Sequence, residues 1–391
     1  MKPKLIFIFM LVSIVAPAMI AQQSIKIEKT NGNGFTIVEN SQKRVLAYST
    51  TPIDTTNPGL KWWLKSIEQL PASKLSTRNA ITPASLGFPS VCEPMLTSSW
   101  GQETPYNWMC PEINYAAWGG FLPDAEHCPV GCVATATAQI MNYYKYPSHG
   151  HGTCSIDLGV QEYSVDLSQA EYKWNLILDH YTEGEYSTEQ AKAVAELCYH
   201  VGVASRMGYR PDASATDNYY AILALRDHFD YDANPSLNIQ RNQYSDVEWM
   251  RLVYTELSEG RPILYQGVGI DLDTYGFYGH SFVIDGYDAD GLVNVNWGWS
   301  GKCNGHYDIA LLNPSDLQFD AFQMMAIGIK PNRIHGDVDG DGYVTASDIT
   351  ALYNYMLNSD SSNIKNGDVD GDGHITSGDV TAVYDILLDS N

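Results

Sequence analysis

A cysteine at the start of a predicted helix, Cys132, is the first residue whose setting indicates chemistry. Small and apolar residues follow it at helical spacing, and Pro147 ends the pattern. In the first turn, unpaired backbone N–H groups and the helix dipole favour a thiolate over a thiol, which makes Cys132 a candidate nucleophile. The residues alone leave two other interpretations open, a buried structural cysteine and a disulfide with Cys128.

A second candidate, His280, lies at the mouth of a predicted β-hairpin far downstream. Residues 279–287 alternate and are rich in β-formers, residues 288–291 form a turn, and residues 292–297 return as a strand. An imidazole can hold the proton of a thiol near neutral pH and pass it to a leaving amine. Together, Cys132 and His280 therefore predict acyl transfer through a cysteine nucleophile.

The returning strand offers a residue to orient the imidazole. Asn296 is predicted to hydrogen-bond His280, as in peptidases that combine Cys, His and Asn. Gly298 is expected to break the strand, so either Trp297 or Trp299 would shield the Asn–His hydrogen bond from water.

Three motifs occur in the order found in one family. Residues 131–141 (GCVATATAQIM), 279–286 (GHSFVIDG) and 295–299 (VNWGW) resemble the streptopain family of papain-like cysteine peptidases, and the likeness covers residues 25–331. The resemblance implies a papain-like α+β catalytic domain that hydrolyses peptide bonds through a thioester and needs no catalytic cofactor.

The segment from Trp100 to Asn107 resembles the family segment that supplies an oxyanion-hole glutamine. Carried over, Gln102 would donate its side-chain amide, with the Cys132 backbone N–H, to the charge on the scissile carbonyl oxygen. The less favoured alternative for Gln102 is an ordinary surface amide in a turn.

The N-terminus predicts a secretory signal over residues 1–21. Lys2 and Lys4 precede an apolar run, and small residues follow at Ala18 and Ala21. The run is short for a membrane span, so an uncleaved anchor is the less favoured alternative, and no membrane span is expected after signal removal.

Residues 22–90 are predicted to form three short strands and one amphipathic helix around Leu60, Trp63 and Ile67. They resemble the family's inhibitory α+β propeptide. Residues 71–90 indicate an exposed linker where cleavage could occur. A simple structural subdomain is the alternative.

The last sixty residues repeat a calcium-loop pattern with a period of 31. Each loop offers carboxylates at positions 1, 3, 5 and 12, a carbonyl at 7 and a glycine at 6, and one helix follows it. This all-α pair resembles a type I dockerin, which implies a cohesin partner on a scaffold or cell surface, as in polysaccharide-degrading complexes. A calcium-stabilised cap without a partner is the alternative. The predicted ligands of two calcium ions are Asp337, Asp339, Asp341, Tyr343, Thr345, Asp348, Asp368, Asp370, Asp372, His374, Thr376 and Asp379.

Composition agrees with these parts. The formal charge is −23, and residues 336–391 hold eleven aspartates and one lysine, so much of the acidity belongs to the calcium loops and nothing favours nucleic acid. Beyond Cys132, six cysteines could form three disulfides in fifteen pairings. A Cys128–Cys132 bridge would silence the enzyme.

The sequence thus predicts a secreted cysteine endopeptidase made as a zymogen, acting on proteins or peptides and attached outside the cell through its dockerin. The predicted divisions are signal 1–21, propeptide and linker 22–90, catalytic domain 91–331 and dockerin 332–391. Two alternatives remain, a papain-fold acyl transferase of the transglutaminase kind and a catalytically silent binding module.

Overall fold

The structure is a computed structural model. It describes residues 25–30, 33–68, 70, 75, 80–113, 127–159, 161–271, 276–310, 322–332, 335–340, 343–359, 364, 366–370 and 374–389. Its α-helices are α1 (Pro58–Glu68), α2 (Cys132–Tyr144), α3 (Thr188–Ala204), α4 (Asn218–His228), α5 (Asp246–Ser258), α6 (Ala346–Asn358) and α7 (Ser377–Asp389). Its strands are β1 (Ile25–Lys29), β2 (Phe35–Glu39), β3 (Val45–Ser49), β4 (Thr153–Asp157), β5 (Glu162–Asp166), β6 (Tyr231–Asp232), β7 (Asn238–Gln240), β8 (Ile263–Asp271), β9 (Gly276–Tyr287), β10 (Val293–Asn296), β11 (Gly305–Tyr307), β12 (Phe322–Ala326) and β13 (Lys330–Pro331).

A nine-stranded antiparallel sheet forms the largest layer, in the order β1-β2-β3-β11-β10-β9-β8-β12-β7. The N-terminal segment joins it through β3 and β11, where Tyr48 pairs with His306 and Ala47 with Tyr307. The predicted N-terminal strands and helix are confirmed, as is the hairpin of β9 and β10. The N-terminal segment therefore extends the sheet that carries His280.

The helix that begins at Cys132 depends on the glycine before it. Gly131 has φ +90°, and a Cβ there would lie 2.7 Å from the Met207 side chain and 3.0 Å from the Ser214 carbonyl oxygen. A larger residue would be strained in this conformation and would also clash. Since α2 packs against β9 and α3, its first residue faces the strand that carries His280.

Two apolar cores lie within the part that carries the site. One surrounds α2, α3 and α4, and the other fills the space between the sheet, α1 and α5. Capping boxes at Ser187 and Ser245 begin α3 and α5. These rigid helices hold the site from both sides of the sheet.

The C-terminal unit has a small core of its own between α6 and α7, built from Val338, Leu352, Val369 and Val383. The fold class is therefore the predicted one, mixed α and β with a helical unit at residues 335–389. In the described ranges, every helix is too short or too polar to span a bilayer. The predicted signal lies outside those ranges.

Candidate active site

The fold places the Cys132 thiol beside the His280 imidazole, close enough for the imidazole to act on the pKa of the thiol. Cys132 is partly buried at the start of α2, and His280 on β9 is 3% exposed. Burial by itself raises the pKa of the Cys132 thiol, but the hydrogen bond and charge of His280, with the backbone N–H groups of Ser281 and Val133, outweigh it and lower the pKa. The pair can therefore hold a thiolate beside an imidazolium.

The other hydrogen bond of His280 goes to a backbone carbonyl. Its Nε2 lies 2.6 Å from the Trp297 oxygen. A carbonyl only accepts, so Nε2 carries a proton and Nδ1 is left to exchange a proton with Cys132. The predicted hydrogen bond between Asn296 and His280 is therefore wrong, because the Trp297 carbonyl takes that position.

Asn296 holds the turn that contains the Trp297 carbonyl. Its Nδ2 donates to the Ser98 carbonyl oxygen at 2.8 Å, and its Oδ1 accepts from the Gly298 N–H at 3.1 Å. The second bond closes the turn at Gly298, which has φ +65° and directs the preceding carbonyl toward His280. Asn296 thus positions the acceptor of His280.

Gln139 is a functional neighbour that sequence reasoning missed. Its fully buried side chain accepts from Asn296 Nδ2 at 3.1 Å, the Ser98 hydroxyl at 3.1 Å and the Trp100 N–H at 3.0 Å. One amide thereby joins α2 to β10 and to the segment leading to Gln102. The available signal was a single long polar residue within an otherwise small and apolar helix.

Trp297 is the tryptophan beside the imidazole. Its fully buried indole lies 6.3 Å from the His280 ring and 4.6 Å from the Phe282 ring, and its Nε1 donates to the Cys303 carbonyl. Of the two tryptophans left open by the sequence, Trp297 therefore lies against His280.

Gln102 lies beside the start of α2. Its carbonyl accepts from the Val130 N–H at 2.9 Å, two residues before Cys132. The residue is partly buried and borders a cavity of about 160 Å³. That cavity is lined by Gly101, Gln102, Glu103, Trp299, Ser300 and Lys302. The segment is thus placed next to the nucleophile, as an oxyanion donor requires.

The N-terminal segment covers the imidazole. A Cβ at Gly59, in the first turn of α1, would lie 2.1 Å from the Trp297 ring and 2.8 Å from His280 Cδ2. Asn57 caps this helix by accepting from the Gly59 and Leu60 N–H groups, and its Nδ2 donates to the Lys302 carbonyl at 2.9 Å. No side chain larger than hydrogen fits at residue 59 while the helix stays in place.

All seven cysteines lie in described ranges and carry free thiols. The Cys128–Cys132 bridge and the three further disulfides are therefore not present. Burial raises the pKa of Cys128 and of Cys154 to about 11 each, the opposite of the direction at Cys132. Cys132 is the only cysteine of the seven for which a lowered pKa is resolved.

Each C-terminal loop gathers three carboxylates. Oxygen atoms of Asp337, Asp339 and Asp348 lie within 4.8 Å of one another, and those of Asp368, Asp370 and Asp379 do the same. Burial raises the pKa of Asp348, and the charge of Asp339 adds to this effect. A bound cation would stabilise like charges held this close, and an all-oxygen set suits calcium. The ligand residues present therefore fit the predicted ion.

The remaining predicted ligands divide into three pairs. Asp341 and Asp372 lie outside the described residues. Thr345 and Thr376 accept backbone N–H groups at the starts of α6 and α7. Tyr343 and His374 were predicted to act through their carbonyls, and this stays a prediction.

Comparisons with known proteins agree with this geometry. A Peptidase C10 family model matches residues 100–307, and a Dockerin type I domain model matches residues 335–388. Streptopain of Streptococcus pyogenes is 33% identical over 322 residues, covering 76% of this chain and 78% of streptopain. The thiol protease/hemagglutinin PrtT of Porphyromonas gingivalis is 32% identical, over 59% of this chain and 26% of its own length.

Two solved structures are similar over most of their length. A prointerpain A fragment of Prevotella intermedia matches with a TM-score of 0.64 and 32% identity, over 77% of this chain and 97% of the fragment. Active interpain A, a cysteine protease of the same organism, matches with a TM-score of 0.54 and 36% identity, over 64% of this chain and 98% of its own. The chain therefore belongs to the peptidase C10 family of streptopain-like cysteine peptidases and carries a type I dockerin domain.

Proposed function

We propose that the chain is a secreted cysteine endopeptidase made as a zymogen and tethered through its dockerin. The observation that carries the catalytic part is the position of Cys132 at the start of α2 beside His280, which lowers the pKa of the thiol. The Cys132 thiolate attacks the peptide carbonyl carbon, and the His280 imidazolium gives its proton to the leaving amine. Water then hydrolyses the thioester, with His280 as the base.

Two donors would stabilise the intermediate. The Gln102 side-chain amide and the Cys132 backbone N–H would hydrogen-bond the negative oxygen, a contribution that is typically worth about 3 to 4 kcal/mol for one donor. The position of the Gln102 backbone beside Val130 supports this assignment. Asn296 and the Trp297 carbonyl would keep His280 in its working tautomer.

The zymogen proposal rests on the contacts of the N-terminal segment. The Gly59 backbone lies against His280 and Trp297, and Asn57 and Asp54 both bond the loop that follows Trp297. We infer from these contacts that the segment keeps a substrate from the imidazole until the segment is removed. The prointerpain A fragment also matches a larger share of this chain than active interpain A does, 77% against 64%. Removal of residues before about 90 would uncover the site.

Tethering rests on the dockerin and its surface. Tyr353 and Leu357 on α6 and their repeat equivalents Tyr384 and Leu388 on α7 are exposed, with Leu357 and Leu388 77% and 72% exposed. Exposed apolar side chains of this size are typical of an interaction surface. We assign this surface to a cohesin on a scaffold or cell-surface protein, with calcium in both loops neutralising the clustered carboxylates.

The test uses full-length protein with calcium and a mild thiol reductant. Casein hydrolysis and intact mass are followed over time for the wild type and for Cys132→Ala. Cys154→Ala is the matched control, because it removes a partly buried thiol that lies away from His280. The wild type and the control should shed about 70 to 90 residues and digest casein, while Cys132→Ala does neither.

Other outcomes separate the alternatives. If Cys132→Ala digests casein as fast as the wild type, Cys132 is not the nucleophile. If the wild type stays inert after another protease removes its N-terminal segment, hydrolysis is refuted. Incorporation of a labelled amine into casein would then identify a transferase, and binding without chemistry would identify a silent module.

A further inference from the structure

An ion pair links the covering segment to the active-site loop. Lys302 Nζ lies 3.5 Å from Asp54 Oδ2, and the two side chains are 60% and 25% exposed. Asp54 is held in place locally, because its Oδ1 accepts from the Thr56 N–H at 3.0 Å and the Thr56 hydroxyl at 2.6 Å. The N-terminal segment thus presents a fixed carboxylate to Lys302.

Lys302 also borders the cavity beside the nucleophile. The cavity of about 160 Å³ is lined by Gln102 and also by Trp299, Ser300 and Lys302. Among the described residues that line it, Lys302 is the single cation and Glu103 is the single anion. Lys302 therefore borders the same cavity as the proposed oxyanion donor.

Removal of the N-terminal segment would leave the Lys302 ammonium without the Asp54 carboxylate. Lys302 would then face the cleft that the same removal opens, at a site where a carboxylate from this chain already fits.

We propose that Lys302 is a specificity-determining residue that pairs with an acidic side chain of the substrate close to the scissile bond. This inference rests on the proposed peptidase function. In the zymogen, Asp54 occupies the place of that acidic side chain. In the mature enzyme, a glutamate or aspartate of the peptide takes it.

The expected preference is modest. Exposed ion pairs are worth up to about 1 kcal/mol, which corresponds to about a fivefold change in kcat/KM, and salt screens them. The ratio of kcat/KM for an acidic peptide to that for its neutral counterpart should therefore be about two to five at low ionic strength, and it should fall toward one at 0.5 M NaCl.

The experiment uses full chain matured in the presence of calcium, with active enzyme counted by alkylation of Cys132. Peptide pairs differ only by glutamate or glutamine at each of three positions on either side of the scissile bond. The ratio of kcat/KM within each pair is measured for the wild type, Lys302→Gln and Lys302→Glu. Lys330→Glu is the matched control, because Lys330 also pairs with an aspartate at 3.5 Å and is 56% exposed, but pairs with Asp232.

At one position the wild type and Lys330→Glu should prefer glutamate. Lys302→Gln should abolish this preference, and Lys302→Glu should reverse it. The proposal would be overturned if the wild type had equal kcat/KM values for the glutamate and glutamine peptides of every pair. It would also be overturned if a glutamate preference survived in Lys302→Glu. Either result would leave the peptidase function intact. Failure to cleave any peptide would instead refute the peptidase function on which the proposal rests.

Discussion

Replacement of Gly59 by alanine tests the contact of α1 with His280 and Trp297. The substitution has two opposing effects on the stability of the docked N-terminal segment. Alanine favours the helix by about 0.5 to 1 kcal/mol relative to glycine. In this structure, however, the added Cβ would lie 2.1 Å from the Trp297 ring and 2.8 Å from His280 Cδ2, neither of which is at the free end of a flexible side chain. Such overpacking costs about 1 to 3 kcal/mol, so the net effect should destabilise docking by up to about 2 kcal/mol.

The assay uses the Cys132→Ala background, which cannot process itself. Added mature wild-type enzyme cleaves the N-terminal segment at a rate that follows the population of the opened form. Gly59→Ala should raise this rate by about two- to thirtyfold, the range given by about 0.5 to 2 kcal/mol. Lys61→Ala, at an exposed position of the same helix, is the control and should change little. An unchanged or slower rate for Gly59→Ala would refute the packing argument.

Three further predictions concern other parts of the molecule. Asn296→Ala should lower kcat/KM by about 10- to 100-fold, because it frees the Trp297 carbonyl that orients His280. The stoichiometry of Cys132 alkylation should not change. A smaller loss of kcat/KM would contradict the positioning role of Asn296. Chelation of calcium should lower the melting temperature of the dockerin transition but leave the catalytic transition in place, and Asp348→Asn should abolish the calcium effect at the first loop. Burial raises the pKa of Asp285 to about 6 from the ordinary 3.8, so its contribution to stability is present below about 3.8 and is lost as the pH rises through about 6. The unfolding free energy of the wild type relative to Asp285→Asn should therefore fall by about 2 kcal/mol between pH 4 and 7, and a flat difference would show that the buried carboxyl does not titrate this way.

Local patterns predicted much of the fold. The helix at Cys132, the hairpin that carries His280 and the capped helices follow from periodicity and capping residues, which act within a few positions. The calcium loops follow from ligand spacing within twelve residues. In each case the information is contained in a short stretch of sequence.

The orienting acceptor of His280 could not be predicted in this way. A register shift between Asn294 and Val295 and the positive φ of Gly298 decide where the Asn296 side chain and the Trp297 carbonyl point. The extra residue of this bulge, Asp285, lies on β9, so it shifts the pairing of β10 against the strand that carries His280. The expected partner came from peptidases that combine Cys, His and Asn, and no local sequence pattern indicated that the Trp297 carbonyl takes its place.

Long-range polar contacts were missed for a different reason. Gln139 has no local signature of its connection to Asn296, and Asp54 and Lys302 meet only after the sheet has formed. The capping role of Asn57, by contrast, can be predicted from sequence, because an asparagine followed by Pro58 and a helix is a recognisable cap.

The most direct test of the account is the pH dependence of iodoacetamide alkylation, resolved by peptide mapping, in the mature enzyme. Cys132 should react with a midpoint below the ordinary thiol pKa of 9.0, because His280 stabilises its thiolate, whereas Cys154, whose pKa burial raises to about 11, should react only at higher pH. His280→Ala should move the Cys132 midpoint upward. A Cys132 midpoint at or above 9.0, or one that His280→Ala leaves unchanged, would contradict the claim that these two residues form the catalytic pair.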